Sequence, residues 1–176
     1  MKEVLARLDA RRTNVHRGLM RAPPMLIALD EARAAAKRGE VPVGAVVIDH
    51  RQMVVARAGN RVIETKDPTA HAEMLAVRLA SNKLQSERLI GCDLYVTLEP
   101  CPMCAQAISF ARIRRLYYGT GDGKGGGVDH GPRIFDHPTC HHRPEVYGGI
   151  RERDSGDLLR SFFAERRNTK SDAESI

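Results

Sequence analysis

Two short motifs hold the residues of this chain whose types and spacing could do chemistry. One is a His-x-Glu and the other is a Pro-Cys-x-x-Cys, in that order along the chain. His71, Cys101 and Cys104 are nitrogen and sulfur ligands of the kind that zinc prefers. Three protein ligands leave the fourth position of a tetrahedral zinc open, as a catalytic site requires. Glu73 is a spare carboxylate, which a hydrolytic zinc site needs beside it to move protons.

The spacing within each motif predicts the elements that must hold it. Cys101 and Cys104 are three residues apart, so they share one face of a helix, and the proline before them fixes the start of that helix. The positive end of such a helix lowers the pKa of a thiol, which favours metal binding. His71 and Glu73 are two residues apart and would point in different directions inside a helix. We therefore expect them at the first turn of a helix that begins behind residues 67–69.

Three other interpretations use parts of the same pattern. A Cys-x-x-Cys alone can be a thiol–disulfide redox pair, but the His-x-Glu then has no role. A closed structural zinc would need a fourth ligand, for which Cys92 or Cys140 could serve. A core histidine with coincidental cysteines is the third. An open catalytic zinc is the interpretation that gives every residue of both motifs a role.

A second group of potential ligands accompanies a glycine-rich segment at residues 121–131. That segment lacks the hydroxyl residue that a phosphate-binding P-loop requires after Gly-Lys, so simple flexibility is its plainest interpretation. The group has no regular ligand spacing, and we expect loop or substrate contacts from it rather than a second metal. Its members are His130, His137, Cys140, His141 and His142.

The periodicity of apolar residues predicts the elements around these motifs. A helix, a hairpin and then alternating helices and strands predict a three-layer α/β/α domain around one mixed sheet of about five strands. The expected helices cover 25–38, 70–79, 101–110 and 157–166, and the expected strands cover 43–49, 53–58, 94–98, 115–118 and a short segment near Val146.

Composition sets the domain organisation. The 176 residues suffice for one domain, which we expect over 25–168, with a basic, disordered extension at 1–24 and a polar tail at 169–176. The extension is rich in arginine like an organelle transit peptide, but Glu3 and Asp9 argue against that interpretation. No apolar leader precedes the cysteines and no apolar run is long enough to span a membrane, so we expect reduced thiols in the cytoplasm.

The charge balance indicates a polyanionic partner. Lys and Arg number 28 against 22 Asp and Glu, a net charge of +6. A mildly basic solvated surface would explain the number alone, but the arginines cluster late in the chain. That clustering favours an RNA partner.

With these motifs, the chain resembles a known family, the bacterial tRNA-specific adenosine deaminases of the cytidine deaminase-like superfamily. The resemblance extends over about residues 25–168. The matching stretches are EVPVGAVV at 40–47, GNR at 59–61, DPTAHAE at 67–73, LYVTLEPCPMC at 94–104 and RIRRLYYG at 112–119.

The resemblance implies an activity and a set of site residues. Members of this family hydrolyse the wobble adenosine of an arginine tRNA to inosine, as homodimers with one zinc ion per subunit. Carried over to this chain, His71, Cys101 and Cys104 would bind zinc, and Glu73 would be the proton shuttle.

The same resemblance implies residues that contact the RNA. Asn60 matches a position that contacts the purine, and the segment 119–124 with the C-terminal helix would border the RNA. The substrate-binding residues expected from it are Asn60, Asp122, Lys124, Phe163, Arg166 and Arg167.

The chain departs from the family in one loop, and two other functions stay open. The family often has Asn before a His where this chain reads Cys140-His141-His142, so one nucleotide contact is not carried over. The EPCPMC motif also occurs in free-guanine deaminases, which leaves a deaminase of a free base or nucleoside as an alternative. The third function is a non-enzymatic RNA-binding module stabilised by zinc.

Overall fold

The structure, a computed structural model, describes the backbone of residues 23–173 and the side chains of residues 23–167. The extension expected at residues 1–24 lies almost wholly outside this part, and so do the side chains of the polar tail. The elements are α1 (Pro24–Lys37), β1 (Gly44–Ile48), β2 (Val54–Gly59), α2 (Val62–Thr65), α3 (Ala72–Leu84), β3 (Asp93–Leu98), α4 (Pro102–Phe110), β4 (Arg115–Thr120), a 3₁₀ turn (Ile134–Asp136), β5 (Glu145–Tyr147) and α5 (Glu152–Ala173).

One mixed sheet of five strands organises the domain, in the order β2-β1-β3-β4-β5. Strand β1 is antiparallel to both β2 and β3, whereas β3, β4 and β5 run parallel. Helices α1 and α5 contact the sheet on one face, and α3 and α4 pack on the other. The predicted three-layer α/β/α architecture with a mixed five-stranded sheet is confirmed.

The central position of β1 follows from its sequence. All five of its residues, GAVVI, are buried, as a strand covered on both faces requires. Val46 and Ile48 pack in the cluster beneath α1, and Ala45 and Val47 pack in the larger cluster beneath α3 and α4. A Cβ on Gly44 would overlap the carbonyl oxygen of Ala28, so glycine is what lets α1 approach the sheet here.

Three predicted element boundaries need correction. Pro102 rather than Pro100 takes the first position of α4, and Cys101 is its N-cap. Helix α3 begins at Ala72 rather than at residue 70 and continues to Leu84. Helix α5 spans Glu152–Ala173 instead of 157–166. Acidic Glu152 and Asp154 in its first turn favour the earlier start, because they complement the positive end of the helix.

Among residues 23–173, no helix has the length and apolar character that would be needed to cross a lipid bilayer.

Candidate active site

The two motifs meet because two helices begin at the same place. His71 is the N-cap of α3, with backbone angles φ −70° and ψ 150°, and Glu73 lies in the first turn of that helix. Cys101 is the N-cap of α4 at φ −68° and ψ 169°, and Cys104 lies in its first turn. The prediction that both motifs sit at helix entrances is confirmed. Both helices direct positive partial charge toward the same point, which favours thiolates and developing negative charge there.

The approach to His71 is fixed by side-chain hydrogen bonds. The Oδ1 atom of Asp67 accepts bonds from the backbone N–H of Thr69 at 2.8 Å and from its hydroxyl at 2.7 Å. Asn60, which is 7% exposed, accepts a bond from the N–H of Ala72 at 2.8 Å through its Oδ1 atom. This bond satisfies one of the unpaired N–H groups at the start of α3. Asn60 therefore lies at the entrance of the helix that carries His71 and Glu73.

The three predicted ligands form a compact group, called here the ligand cluster. His71 Nδ1 lies 3.6 Å from Cys101 Sγ and 3.5 Å from Cys104 Sγ, and the three ligand atoms all lie within 4.8 Å of one another. Cys104 is fully buried, and the other two are partly buried. Bonds of about 2.0–2.1 Å to nitrogen and about 2.3 Å to sulfur, meeting near the tetrahedral angle, would put the nitrogen and a sulfur roughly 3.6 Å apart. The cluster therefore fits zinc.

Other ligand arrangements are absent from the part of the chain that the structure describes. Only His71, Cys101 and Cys104 form a group of three or more potential ligands there. Neither Cys92 nor Cys140 joins them, so the described chain supplies no fourth ligand for a closed structural site. All four cysteines are free thiols. The second group, from His130 to His142, forms no metal site, and the thiol of Cys140 instead donates to the carbonyl oxygen of His142 at 3.1 Å.

Burial and mutual hydrogen bonding shift the pKa values in the cluster. A hydrogen bond from Cys104, with help from His71, lowers the pKa of Cys101 to about 4. The same shared hydrogen bond raises the pKa of Cys104, and the bond to Cys101 raises the pKa of His71. Glu73 is only 4% exposed, and its burial raises its pKa to about 7. A carboxyl group with such a pKa can both take and give a proton near neutral pH.

A cleft between α5 and the glycine-rich segment, called here the α5 cleft, contains four of the residues expected to bind substrate. Its volume is about 1040 Å³, and Asp122, Lys124, Phe163 and Arg167 are among the residues that line it. Arg166 does not line the cleft. Its guanidinium lies 4.6 Å from the ring centroid of Phe162 and donates a hydrogen bond to the carbonyl oxygen of Gly39.

Glu99 is a site residue that the sequence analysis missed. Its side chain is fully buried and accepts hydrogen bonds from four backbone N–H groups of the glycine-rich segment and from the ring of His130 at 2.6 Å. Burial alone would raise its pKa, but these donors outweigh it and hold the pKa at about 2. The glycine-rich segment is therefore anchored rather than simply flexible. The backbone donors are Asp122 at 2.9 Å, Val128 at 3.1 Å, Asp129 at 2.8 Å and His130 at 2.9 Å.

Glu40 is a second missed residue. It is 1% exposed and accepts hydrogen bonds from the N–H groups of Ile63 at 2.9 Å and Glu64 at 2.8 Å, at the start of α2. This holds the segment that follows Asn60. A sequence signal existed for both glutamates, since Glu40 directly precedes an apolar run and Glu99 directly follows one, but their partners lie 23 to 31 residues away along the chain.

Comparison with known proteins identifies the class. Residues 22–120 match the family described as "Cytidine and deoxycytidylate deaminase zinc-binding region". A tRNA-specific adenosine deaminase of Agrobacterium fabrum is 60% identical over 144 residues, which cover 81% of this chain and 93% of the relative. A tRNA-specific adenosine deaminase of Aquifex aeolicus is 45% identical over 143 residues, 81% of this chain and 93% of the relative.

Solved structures agree in fold. One, from a study of A-to-I editing by tRNA deaminases at the wobble position of transfer RNA, is 58% identical with a TM-score of 0.76 and covers 77% of this chain and 98% of its own. A guanine deaminase from Nitrosomonas europaea is 26% identical with a TM-score of 0.71 and covers 83% and 87%. The chain belongs to the zinc-binding cytidine and deoxycytidylate deaminase family and, within it, to the tRNA-specific adenosine deaminases. It is a hydrolytic deaminase.

Proposed function

We propose that this protein deaminates adenosine to inosine at the wobble position of an arginine tRNA. The observation that carries the proposal is the ligand cluster with Glu73 in the first turn of α3, next to His71. The names of the relatives from Agrobacterium fabrum and Aquifex aeolicus, both tRNA-specific adenosine deaminases, support RNA as the substrate class. The choice of an arginine tRNA rests on the resemblance of the motifs.

His71, Cys101 and Cys104 would hold one zinc ion per subunit. Zinc bound there supplies an activated water at neutral pH. Glu73 would move the two protons that hydrolysis requires. It would pass one from the water to N1 of adenine and the other from the same oxygen to the amino group on C6. The amino group would then leave as ammonia, and C6 would keep the oxygen as the carbonyl of inosine.

Asn60 is proposed to contact the purine through its side-chain amino group. Its Oδ1 atom accepts from Ala72, so the Nδ2 amino group remains to donate to a ring nitrogen of adenine. Asn60 would thereby have two roles, since it would contact the substrate and it also holds the start of α3, where His71 and Glu73 lie.

The α5 cleft is proposed to hold the RNA around the reacting base. Lys124 and Arg167 offer positive charge to phosphates, and the ring of Phe163, which is 43% exposed, offers a surface on which a base can stack. Asp122 shapes the cleft, because its Oδ1 atom accepts hydrogen bonds from the N–H groups of Lys124 and Gly125, both at 3.0 Å. Arg166 follows on the same helix and is proposed to contact the RNA beyond the cleft. An anticodon loop is single-stranded, so a base can turn out of it at modest cost.

Deamination of a free base is the second candidate function, and the similarity to a guanine deaminase favours it. The two functions separate cleanly in one assay. The purified protein is incubated with an arginine tRNA, free guanine, free cytosine or adenosine, and released ammonia is measured. Ammonia from the tRNA, with inosine read at the wobble position by sequencing, supports the proposal. Ammonia from a free base alone would overturn it.

The remaining parts of the proposal concern the assembly and the domain. We propose a homodimer in the cytoplasm, with the deaminase domain at 25–168 between the basic extension and the polar tail. Light scattering on the purified protein tests the dimer, and a mass of one subunit would contradict it.

A further inference from the structure

A second basic pocket lies at the end of the sheet opposite the ligand cluster. It has a volume of about 660 Å³ and lies among the loops that lead into β3, β4 and β5. We call it the distal basic pocket. The residues that line it are Arg88, Ile90, Gly91, Arg112, Arg114, His142, Arg143 and Glu145.

Glu145 in the pocket and Asp93 beside it are both paired with arginines. Asp93 binds Arg114 through two hydrogen bonds of 2.8 Å and 2.7 Å. Glu145 binds Arg115 at 2.8 Å and accepts a hydrogen bond from the hydroxyl of Tyr147 at 2.9 Å. Each carboxylate therefore has an arginine partner of its own, and neither forms an ion pair with Arg88, Arg112 or Arg143.

Three arginines keep their charge available. Arg112 donates to the carbonyl oxygen of His141 at 3.0 Å, and Arg143 donates to that of His137 at 3.3 Å. Within the described side chains, neither forms an ion pair with a carboxylate. Among the residues with described side chains, Arg88 forms an ion pair only with its neighbour Glu87, at 3.5 Å, and both side chains are mostly exposed. Such an exposed pair contributes little and leaves the guanidinium open to another anion.

The pocket also has an apolar rim. Ile90 is 75% exposed beside these arginines. Guanidinium groups recognise phosphate through paired N–H donors, and an apolar rim suits the sugar between two phosphates. A phosphodiester backbone offers both features.

The position of the pocket shows which part of an RNA could reach it. Strand β3 runs from Asp93, beside the pocket, to Leu98, close before Cys101. At about 3.3 Å per residue, that strand alone separates the two sites by roughly 16 Å. A phosphate in the pocket therefore cannot belong to the nucleotide whose base enters the active site.

We infer that the distal basic pocket binds the phosphodiester backbone of the RNA substrate at a point outside the anticodon loop. This inference rests on the proposed function, because it takes an RNA as the substrate. Recognition would then extend beyond the loop that contains the reacting base.

The test compares two RNAs and two double variants. The RNAs are a full-length tRNA and a hairpin cut back to its anticodon loop and closing base pairs. The variants are Arg88→Gln/Arg143→Gln in the pocket and Arg33→Gln/Arg57→Gln as the control. The control removes the same number of positive charges from α1 and β2. Its two arginines are exposed, and Arg33 pairs with Asp30 while Arg57 pairs with Glu31.

For the full-length tRNA, we expect KM of the pocket variant to rise roughly tenfold with kcat unchanged, and the salt dependence of kcat/KM to become shallower by roughly two units of log–log slope, about one for each arginine removed. For the hairpin, we expect no change. The single variant Arg88→Gln, at an exposed position with only a neighbouring ion pair, should show a smaller shift of the same kind, and zinc content checks the fold of all variants.

Equal KM for wild type and pocket variant on the full-length tRNA would overturn the inference, as would an equal loss on both RNAs or the same loss in the control. Failure of the proposed function looks different, because the wild-type protein would then deaminate neither RNA.

Discussion

At the scale of single residues, Cys104 is the ligand that is most enclosed by the fold. It is fully buried in the first turn of α4, 3.5 Å from His71, and its replacement leaves two ligands that are only partly buried. The Cys104→Ser protein is expected to lose its zinc and its inosine formation together. Elemental analysis and sequencing of the tRNA product measure both.

Cys140→Ser is the matched control for that substitution. Cys140 is, like Cys104, a free thiol; it is partly buried and lies outside the ligand cluster. It should keep full zinc content. A Cys104→Ser protein with as much zinc as the Cys140→Ser protein would contradict the assigned ligand set.

The ligands could be predicted from sequence because their chemistry is local. The spacing of each motif placed His71, Glu73 and Cys101 at helix entrances, and the structure has them there. Asn60 was expected only through family resemblance. Its hydrogen bond to Ala72 joins residues 12 apart, across a turn and the short α2, and no local pattern encodes such a contact.

At the scale of elements, Glu99 holds the glycine-rich segment that forms one wall of the α5 cleft. In Glu99→Gln, an amide would put its own N–H donors against the backbone N–H groups that the carboxylate satisfies. We expect a loss of about 2 kcal/mol in the free energy of unfolding, a higher KM for tRNA and faster proteolysis within 121–131, with zinc retained.

Glu87→Gln serves as the control, since that side chain is 83% exposed. Limited proteolysis and denaturant unfolding compare the two proteins. A Glu99→Gln protein with the protease resistance and KM of the control would show that the segment does not depend on the carboxylate.

The β1–β2 turn gives a pH-dependent prediction. Asp49 accepts hydrogen bonds from the N–H groups of Arg51 and Met53, both at 2.9 Å, and the bond from Met53 is the largest cause that lowers its pKa below the ordinary 3.8. A carboxyl group with a lowered folded-state pKa stabilises the fold above its unfolded pKa and loses that contribution as the pH falls through the folded value.

Asp49→Ala is therefore expected to lower the free energy of unfolding by about 1 kcal/mol at neutral pH. The difference from wild type should shrink as the pH falls below 3.8. Denaturant unfolding at several pH values measures it. A difference in the free energy of unfolding that stays constant down to the lowest pH at which both proteins are folded would contradict the role of the carboxylate.

The bounds of helices and strands were predictable where the periodicity of apolar residues is strong, and less predictable where tertiary contacts determine the structure. The buried run of β1 and the helical pattern of α1 gave those elements to within about two residues. The start of α5 was predicted at residue 157, but the helix begins at Glu152 and includes Gly156, a residue type that is unfavourable inside helices. The glycine-rich segment is held by Glu99, which lies 23 residues before Asp122, so the local sequence of the segment does not reveal this interaction.

At the scale of the whole molecule, the net charge of +6 and the two basic sites at opposite ends of the sheet favour a long polyanion. Binding that neutralises phosphates releases counterions, so log(kcat/KM) for tRNA should fall with the logarithm of salt concentration, with a slope of roughly −2 to −4. Steady-state kinetics across a salt series measure it, with zinc content as the check that the enzyme stays intact. A flat dependence would contradict an RNA substrate held by these basic residues.

The most direct measurement of the central claim is the Glu73→Gln protein beside wild type, assayed for zinc and for inosine in the same arginine tRNA. Glutamine fills the same buried space next to His71 but cannot carry a proton to and from the base. We expect equal zinc content and inosine formation lower by a factor on the order of 1000. A Glu73→Gln protein that forms inosine at close to the wild-type rate would contradict the account.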